Sequence, residues 1–445
     1  MYLPLNQISP GSTRGGKQFV RSDGPGYWAR SPWGYADWAD YSGAANSYNY
    51  QQATGYIGYK QELVDNLDID YAFSYSLFDY TRFCQNMIFN AYREDEYHGK
   101  IISRWQPNEQ HKIALGVELS HRELGMRSLG WPNGEWPYQA WSTNLYSILG
   151  EWQWNINDKW TTFLGGRVDD HTYTDKMFSP RVAIVHTPTD KDTYKLMWSR
   201  AVRANNESEM KSQADACGTD STPEKLDTIE FRYERQQSKN LDLAASIFMH
   251  YNFELVTFDA GAAHRSAPVG TQKDWGAELE ASYHTEKTRL TLSHGYTKLL
   301  EFDLVPGRDT YATAKPYGYG DDLANWSNHI TKLTAQHKLD DKWTLNASMR
   351  IYWGFQGMKD YNNYVKATSP VDILMDDGWE KAYQGNYYLN LGLQYQASKD
   401  LTIGVTGYNL LGIFNRDFNK RNYIDSTGDY RCEAAAIGVS LEYKF

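Results

Sequence analysis

The chain has 445 residues, of which 22% are charged, and its formal net charge is -10 at pH 7. This acidic balance without a basic stripe argues against a nucleic-acid partner. No run of about twenty apolar residues occurs, which excludes a helical membrane span. The same observation does not exclude a membrane β-barrel, because its strands need apolar residues only at alternate positions.

Aromatic residues make up 15% of the chain and include 35 Tyr and 16 Trp. Such abundance suits the aromatic girdles at the two interfaces of a membrane barrel. Soluble carbohydrate-binding proteins are also rich in aromatics, so composition leaves both classes open. The first twenty residues lack the charged and apolar regions of a signal peptide, and we expect a longer precursor.

Residues 1–53 are irregular and polar, and we expect an extracellular loop at a truncated start. Within them, the aromatic residues of 27–41 follow a spacing of neither two nor 3.6, so no single apolar face would bury them all. Exposed rings indicate a stacking surface for planar ligands or sugars, with an arginine as anion anchor. The candidate ligand contacts are Tyr27, Trp28, Arg30, Trp33, Tyr35 and Trp38. The alternative is that these rings pack on one another and stiffen the loop.

Residues 54–445 are predicted to form the barrel, with a first strand near Thr54–Glu62. Short turns rich in Asn, Asp, Pro or Ser separate strands in which apolar and polar residues alternate. These turns lie at 64–67, 106–109, 155–159, 187–191, 237–240, 284–287, 339–342 and 397–400. The predicted strands of about nine to twelve residues match a tilted crossing of the hydrocarbon layer.

Longer connections are predicted at the other ends of the strands. They cover 78–96, 121–141, 169–177, 202–223, 254–271, 299–327, 354–384 and 414–431. Short turns on one side and long loops on the other are typical of an outer-membrane barrel, where the turns are periplasmic and the loops extracellular.

Two of these loops add candidate ligand contacts. Loop 121–141 contributes Arg127, Trp131 and Trp136. Loop 354–384 contributes Tyr361 and Trp379 beside an acidic cluster, which either favours a cation or simply solvates the loop. Cys217 and Cys432 both lie at loop or strand-top positions and form a candidate disulfide.

The last strand alternates strictly, with Ile437, Val439 and Leu441 on its apolar face, and the chain ends on Phe445. This pattern is typical of the closing strand of an outer-membrane barrel. Together with the hairpins it gives about seventeen strands. Closed bacterial barrels normally have an even number, so we expect a truncated barrel.

From about Ser179 onward the chain resembles the C-terminal barrel of TonB-dependent outer-membrane receptors. Residues 179–186 and 193–204 resemble the family's "SPR" strand and its "Arg-Ala-Phe-Arg-Ala-Pro" segment. The approach Thr222-Pro-Glu, the strand start Trp275-Gly-Ala-Glu-Leu-Glu and the late Asn409-Leu-Leu are similar to further family patterns. Val202 and Asn205 depart from the pattern, because the family usually has Phe and Pro there.

The resemblance implies a barrel of 22 strands, occluded by an N-terminal plug, in the outer membrane of a Gram-negative bacterium. On this count we expect the chain to hold about 17 of the 22 strands and to lack the plug and the first strands. The implied function is uptake of a bulky, scarce nutrient, usually a ferric siderophore. The implied partners are outer-membrane lipid, the small-molecule ligand, and TonB-ExbB-ExbD acting through the plug. The family's haem receptors carry a histidine in the loop that corresponds to 203–223, which here contains none.

We therefore predict an all-β, antiparallel transmembrane barrel that serves as a TonB-dependent receptor for a ferric siderophore. The alternatives are a passive porin of 16–18 strands and a surface barrel that transports nothing. No nucleophile elbow, phosphate loop or metal-ligand spacing occurs, so we expect no enzymatic activity, no cofactor and no metal site.

Overall fold

A computed structural model gives the fold of the chain. It describes residues 7–8, 46–84, 87–130, 134–135, 139–259, 265–310, 312–324, 327–368, 385–411 and 435–444. In this part of the chain, seventeen long strands and two strands of two residues form the sheet, which confirms the predicted all-β barrel fold and its strand number.

The strands follow one another along the chain with few interruptions. The first nine are β1 (Gln7–Ile8), β2 (Asn46–Val64), β3 (Leu67–Cys84), β4 (Met87–Trp105), β5 (His111–Gly130), β6 (Gly134–Glu135), β7 (Gln139–Asn157), β8 (Trp160–His171) and β9 (Thr174–Thr189). The others are β10 (Asp192–Arg203), β11 (Glu224–Ser238), β12 (Leu241–Asp259), β13 (Arg265–His284), β14 (Thr288–Leu304), β15 (His329–Lys338), β16 (Trp343–Trp353), β17 (Asn386–Gln396), β18 (Leu401–Tyr408) and β19 (Ala436–Tyr443).

Within the described residues, helical segments occur between strands. They are α1 (Glu207–Cys217), a 3-10 turn (Lys315–Tyr317) and α2 (Gln356–Thr368). None of the described helices is long and apolar enough to cross a membrane.

Each long strand pairs antiparallel with the next one, so the wall is a continuous meander. The β3–β4 ladder, for example, runs from Leu67↔Trp105 to Cys84↔Met87, and β5 pairs with β7 across the short β6. Among the described residues, no pairing joins β19 to β2. Both strands expose apolar side chains, with Ile57 at 73% and Leu441 at 72%.

All eight predicted short turns are confirmed, and local side-chain hydrogen bonds explain most of them. Asn157 Oδ1 accepts hydrogen bonds from the backbone N–H groups of Lys159 and Trp160 at 2.9 and 3.1 Å. Asp340 Oδ1 does the same for Lys342 and Trp343 at 2.8 and 2.7 Å. An Asn or Asp side chain that mimics a backbone turn in this way reverses the chain without tertiary help.

Several predicted long loops are wrong. Residues 78–96 form no loop, since β3 continues to Cys84 and β4 begins at Met87. Over 169–177 only Thr172 and Tyr173 separate β8 from β9. The loop predicted at 121–141 is reduced to the residues between β5 and β7, and that at 254–271 to those between β12 and β13.

The predicted length of nine to twelve residues is confirmed for β8, β10, β15, β16 and β17, but most of the other long strands exceed it. They reach 20 residues in β5, and the first long strand begins at Asn46 rather than near Thr54. A tilted strand crosses the hydrocarbon layer in about 9–11 residues, so the ends of these strands opposite the short turns project beyond it. We call these ends the upper parts. Both of their faces are wet, and polar cross-strand contacts stabilise the ladder there. The Tyr75 hydroxyl, for instance, donates to Asp95 Oδ1 at 2.6 Å.

The outward face of the wall is apolar. Paired residues across six neighbouring strands form one row of this face, namely Tyr71, Ile101, Val117, Ile148, Val168 and Phe178. Val117 is 51% exposed and Ile148 is 68% exposed. An apolar band of this kind is the lipid-facing surface of a membrane barrel.

The inward face is polar and carries ion pairs. Arg167 lies between Asp169 and Glu118, with its Nε 2.7 Å from Asp169 Oδ1 and its Nη1 2.5 Å from Glu118 Oε2. Its Nη2 donates to Ser147 Oγ at 2.7 Å. Charged side chains that compensate one another in this way are normal for the wet interior of such a barrel.

Aromatic girdles border the apolar band on both sides. Near the short turns, Trp152 and Trp154 stack at 5.7 Å between ring centroids, and Trp343 contacts Tyr395 at 4.6 Å. Toward the opposite ends of the strands, His329 stacks on Trp353 at 3.7 Å. Amphipathic rings concentrate at the two membrane interfaces, so these clusters mark the level of the bilayer.

Candidate functional site

Most of the predicted ligand contacts lie outside the described residues. These are Tyr27, Trp28, Arg30, Trp33, Tyr35, Trp38, Trp131, Trp136 and Trp379. The same holds for Cys432, so the disulfide with Cys217, an exposed residue at the end of α1, stays a prediction.

Two predicted contacts lie within the described strands and helices. Arg127 was predicted in a loop, and this is wrong: it belongs to β5, where it pairs with Ala91, because the β4–β5 ladder continues above the membrane. Tyr361 lies on α2, inside the predicted loop 354–384. Whether either residue binds ligand stays a prediction.

Helix α1 was not predicted, although its capping signals are present in the sequence. The Asn206 side chain caps the first turn by accepting the Glu209 N–H at 2.9 Å. Gly218 ends the helix with φ 64°, a left-handed conformation that glycine adopts without strain, and its N–H bonds to Ala214 O. An Asn followed three residues later by Glu, with a Gly after the last turn, is a recognisable helix pattern.

The barrel rim holds α1 in place from two sides. Met210 is 2% exposed, and its sulfur accepts the Thr174 hydroxyl at 2.6 Å. Gln213 Oε1 accepts the backbone N–H of Ser266 at 2.6 Å. Because Thr174 belongs to β9 and Ser266 to β13, the helix is tied to strands on both sides of its own loop.

Glu207, the first residue of α1, is the centre of a charged cluster. Its Oε1 accepts from Arg122 Nη1 and from the Thr143 hydroxyl, both at 3.3 Å. The same oxygen lies 3.3 Å from His171 Nε2. The backbone N–H of Tyr173 donates to His171 Nδ1 at 3.2 Å, which places the proton of a neutral imidazole on Nε2, facing Glu207.

Arg122 joins this cluster to the wall of the barrel. Its Nε lies 3.1 Å from Glu96 Oε1 and 3.7 Å from Glu94 Oε1. Ser120 donates to the same Glu96 oxygen at 2.8 Å. One guanidinium therefore bridges carboxylates on β4 and α1.

Below α1 is a cavity of about 760 Å³, which we call the α1 pocket. Its lining combines aromatic rings with the charged cluster. The residues used below are Phe78, Tyr80, Tyr92, Arg122, Trp141 and Glu207. The Phe78 and Tyr80 rings lie 6.5 Å apart, and those of Tyr80 and Tyr92 lie 5.8 Å apart.

Two buried polar atoms of this lining have no hydrogen-bond partner among the described residues. They are Oε2 of Glu207 and Nε1 of Trp141. A buried donor and a buried acceptor left unsatisfied together cost stability, typically about 1–3 kcal/mol for each group. A buried unsatisfied group calls for a specific explanation, and a bound ligand is one of them.

A second structured region of the mouth is a tyrosine cluster, made of Tyr317, Tyr319, Tyr361 and Tyr364. Tyr317 and Tyr364 stack at 4.2 Å with an interplanar angle of 5°, and Tyr361 meets Tyr364 edge-on at 5.8 Å. Burial raises the pKa of the Tyr317 hydroxyl. These rings contact one another, so they fix α2 against the loop that precedes β15.

Asp360 on α2 adds a perturbed carboxylate beside this cluster. Burial raises its pKa above the ordinary value of 3.8, and the charges of Asp321 and Asp322 raise it further. Gln356 Nε2 donates to Asp360 Oδ1 at 2.8 Å and works in the opposite direction. Among the described residues, no group of three or more His, Cys, Asp or Glu is arranged to hold a metal ion.

The apolar outer band, the two aromatic girdles and the polar interior together define an outer-membrane β-barrel. The sequence profile described as "TonB dependent receptor-like, beta-barrel" matches residues 4–410, and the chain belongs to this family. The match covers most of the chain, whereas the recognisable motifs occur only from Ser179 onward. Proteins of this family are transporters of the Gram-negative outer membrane and not enzymes.

Solved structures show the same fold at low sequence identity. The siderophore receptor PiuA from Acinetobacter baumannii has a TM-score of 0.63 at 14% identity, over 90% of this chain and 65% of its own. The ferric-catecholate import receptor Fiu from E. coli K12 has 0.62 at 14%, over 96% and 69%. The copper transporter OprC has 0.62 at 13%, over 90% and 67%. The chain thus spans about two thirds of the length of these proteins. No curated protein sequence matches it.

Proposed function

We propose that the protein takes up a bulky, scarce nutrient across the outer membrane in a TonB-dependent manner, and that this nutrient is a ferric siderophore. Membership of the TonB-dependent receptor family over residues 4–410 carries this proposal. The names of structural neighbours, a siderophore receptor and a ferric-catecholate import receptor, favour iron complexes among the candidate nutrients.

The geometry of the barrel mouth supports a binding role. Helix α1 and the tyrosine cluster are both packed elements, and the α1 pocket is large enough for a small-molecule group. The aromatic residues predicted in loop 27–41 stay candidates for further contacts. Coupling to TonB-ExbB-ExbD through a plug domain also stays a prediction.

The test is growth of an iron-starved strain that lacks its other iron receptors and expresses this protein. Ferric complexes of a catecholate, a hydroxamate and citrate are supplied one at a time. We expect growth on one class and not on the others. Growth on none of them, together with uptake of another bulky nutrient, would contradict the siderophore assignment. The proposed role as a TonB-dependent receptor would still stand.

Conductance in planar bilayers separates the receptor from a porin. A receptor that is occluded by its plug gives no large, steady open channel, whereas a passive porin does. A protein without channel activity and without any transported ligand would be a surface barrel that transports nothing.

A further inference from the structure

We propose that the α1 pocket binds a neutral, hydroxyl-bearing group, of which a sugar ring is the simplest example. The assignment of this group to the transported nutrient rests on the proposed function. The binding itself rests only on the chemistry of the pocket.

The two unsatisfied atoms define what the pocket accepts. Trp141 Nε1 can only donate a hydrogen bond, and Glu207 Oε2 can only accept one. A hydroxyl-bearing group matches both, because a hydroxyl oxygen accepts from an indole N–H and a hydroxyl proton is donated to a carboxylate. A cation would satisfy Glu207 alone, and a carboxylate or phosphate would satisfy Trp141 alone.

The charge in and around the pocket disfavours an anion. Three carboxylates, those of Glu94, Glu96 and Glu207, surround the single guanidinium of Arg122. Arg93, the other arginine of the pocket, forms an ion pair with Asp95 at 2.8 Å. The local field is therefore negative, and a polyanion entering the pocket would be repelled.

Aromatic rings provide the apolar part of the site. Phe78, Tyr80 and Tyr92 line the cavity beside Trp141. A cavity of several hundred Å³ that combines aromatic rings with directed polar groups is typical of small-molecule sites. A pyranose ring matches this combination, because it offers apolar C–H faces and peripheral hydroxyls.

Saccharide binding is measured by calorimetry on the full chain, purified from outer membranes in a detergent without a sugar headgroup. The probes are maltose and cellobiose as neutral saccharides and citrate as a polyanion. We expect at least one saccharide to bind, citrate not to bind, and saccharide affinity to fall about tenfold or more in Trp141→Phe and in Glu207→Gln. Tenfold corresponds to about 1.4 kcal/mol, the size of one good hydrogen bond.

Matched variants control for general effects. Trp154→Phe changes an indole in the girdle near the short turns, and Glu209→Gln changes a carboxylate on the same helix outside the pocket lining. Both should bind saccharide like the parent. A gel-mobility shift on heating shows that each variant is a folded barrel.

The inference is overturned if neither saccharide binds the parent, or if Trp141→Phe and Glu207→Gln bind as well as the controls. It is also overturned if citrate binds and the same two substitutions abolish its binding. Saccharide binding with the expected losses, in a protein that shows no energy-dependent uptake, would support the site and contradict the proposed function instead.

Discussion

The orientation of the wall can be tested with two adjacent isoleucines on β4. Ile101 pairs with Tyr71 and Val117 on the outward face, and it is 45% exposed. Ile102 pairs with Asp70 and Gly116 on the inward face. Replacing each with Arg places the same charge in lipid in one case and in the lumen in the other.

The expected cost follows from depth. Ile101 lies four residues before the end of β4 at Trp105, which corresponds to about 13 Å along the strand and about 10 Å along the membrane normal at the usual tilt. This depth is close to the middle of an apolar band about 25 Å tall. There, Arg on the lipid face costs about 2–4 kcal/mol. At Ile102 we expect less than about 1 kcal/mol, since the lumen is wet and Asp70 is the cross-strand neighbour.

The free energy of unfolding is measured by guanidinium denaturation in phospholipid vesicles, followed by tryptophan fluorescence. The prediction is a loss for Ile101→Arg that exceeds the loss for Ile102→Arg by at least about 1 kcal/mol. Equal losses, or a larger loss at Ile102, would mean that the assigned lipid and lumen faces are wrong.

Three further predictions concern the turns and loops. Asp340→Ala removes the acceptor of two backbone N–H groups and should lower the free energy of unfolding by about 1–2 kcal/mol. Asp341→Ala, in the same turn, should have almost no effect. Equal effects of the two substitutions would contradict the turn assignment. Gly357→Ala places a Cβ against the Leu323 carbonyl oxygen, closer than van der Waals contact allows, and should expose α2 to limited proteolysis. Unchanged cleavage would contradict the packing of α2. Asp360→Asn should stabilise the protein at pH 7, because the raised pKa means that the carboxylate destabilises the fold as pH rises above about 3.8. The gain should shrink as pH falls toward that value, and a gain independent of pH would refute the assignment.

The short turns could be predicted because the information is local. Asn157 and Asp340 shape their turns through bonds to residues two and three positions ahead, and these residue types are visible in the sequence. The strands within the bilayer were equally readable, since lipid on one side and water on the other impose a period of two.

The upper parts of the strands were missed for a physical reason. Above the bilayer both faces are wet, so apolar alternation ends while the backbone ladder continues. The run Arg93-Glu94-Asp95-Glu96 therefore looked like a loop, although all four residues pair with β3. Cross-strand partners, such as Tyr75 with Asp95, are the signal that this run belongs to a strand.

The α1 pocket could not be predicted, because its members are far apart in the chain. Arg122 and Glu207 are separated by 85 residues, and His171 and Glu207 by 36. The register of β5, β7 and β8 and the anchoring of α1 bring them together. The helix itself was predictable from Asn206, Glu209 and Gly218, but its docking on the rim was not.

The most direct test of the proposed transport is the initial rate of radio-iron uptake from the ferric siderophore that supports growth. The rate is compared in cells with and without TonB, each expressing this protein as its sole receptor. We predict uptake only in cells with TonB, and its loss when a protonophore collapses the inner-membrane proton gradient. An equal rate in both strains, unaffected by the protonophore, would contradict TonB-dependent transport and identify passive passage through the barrel.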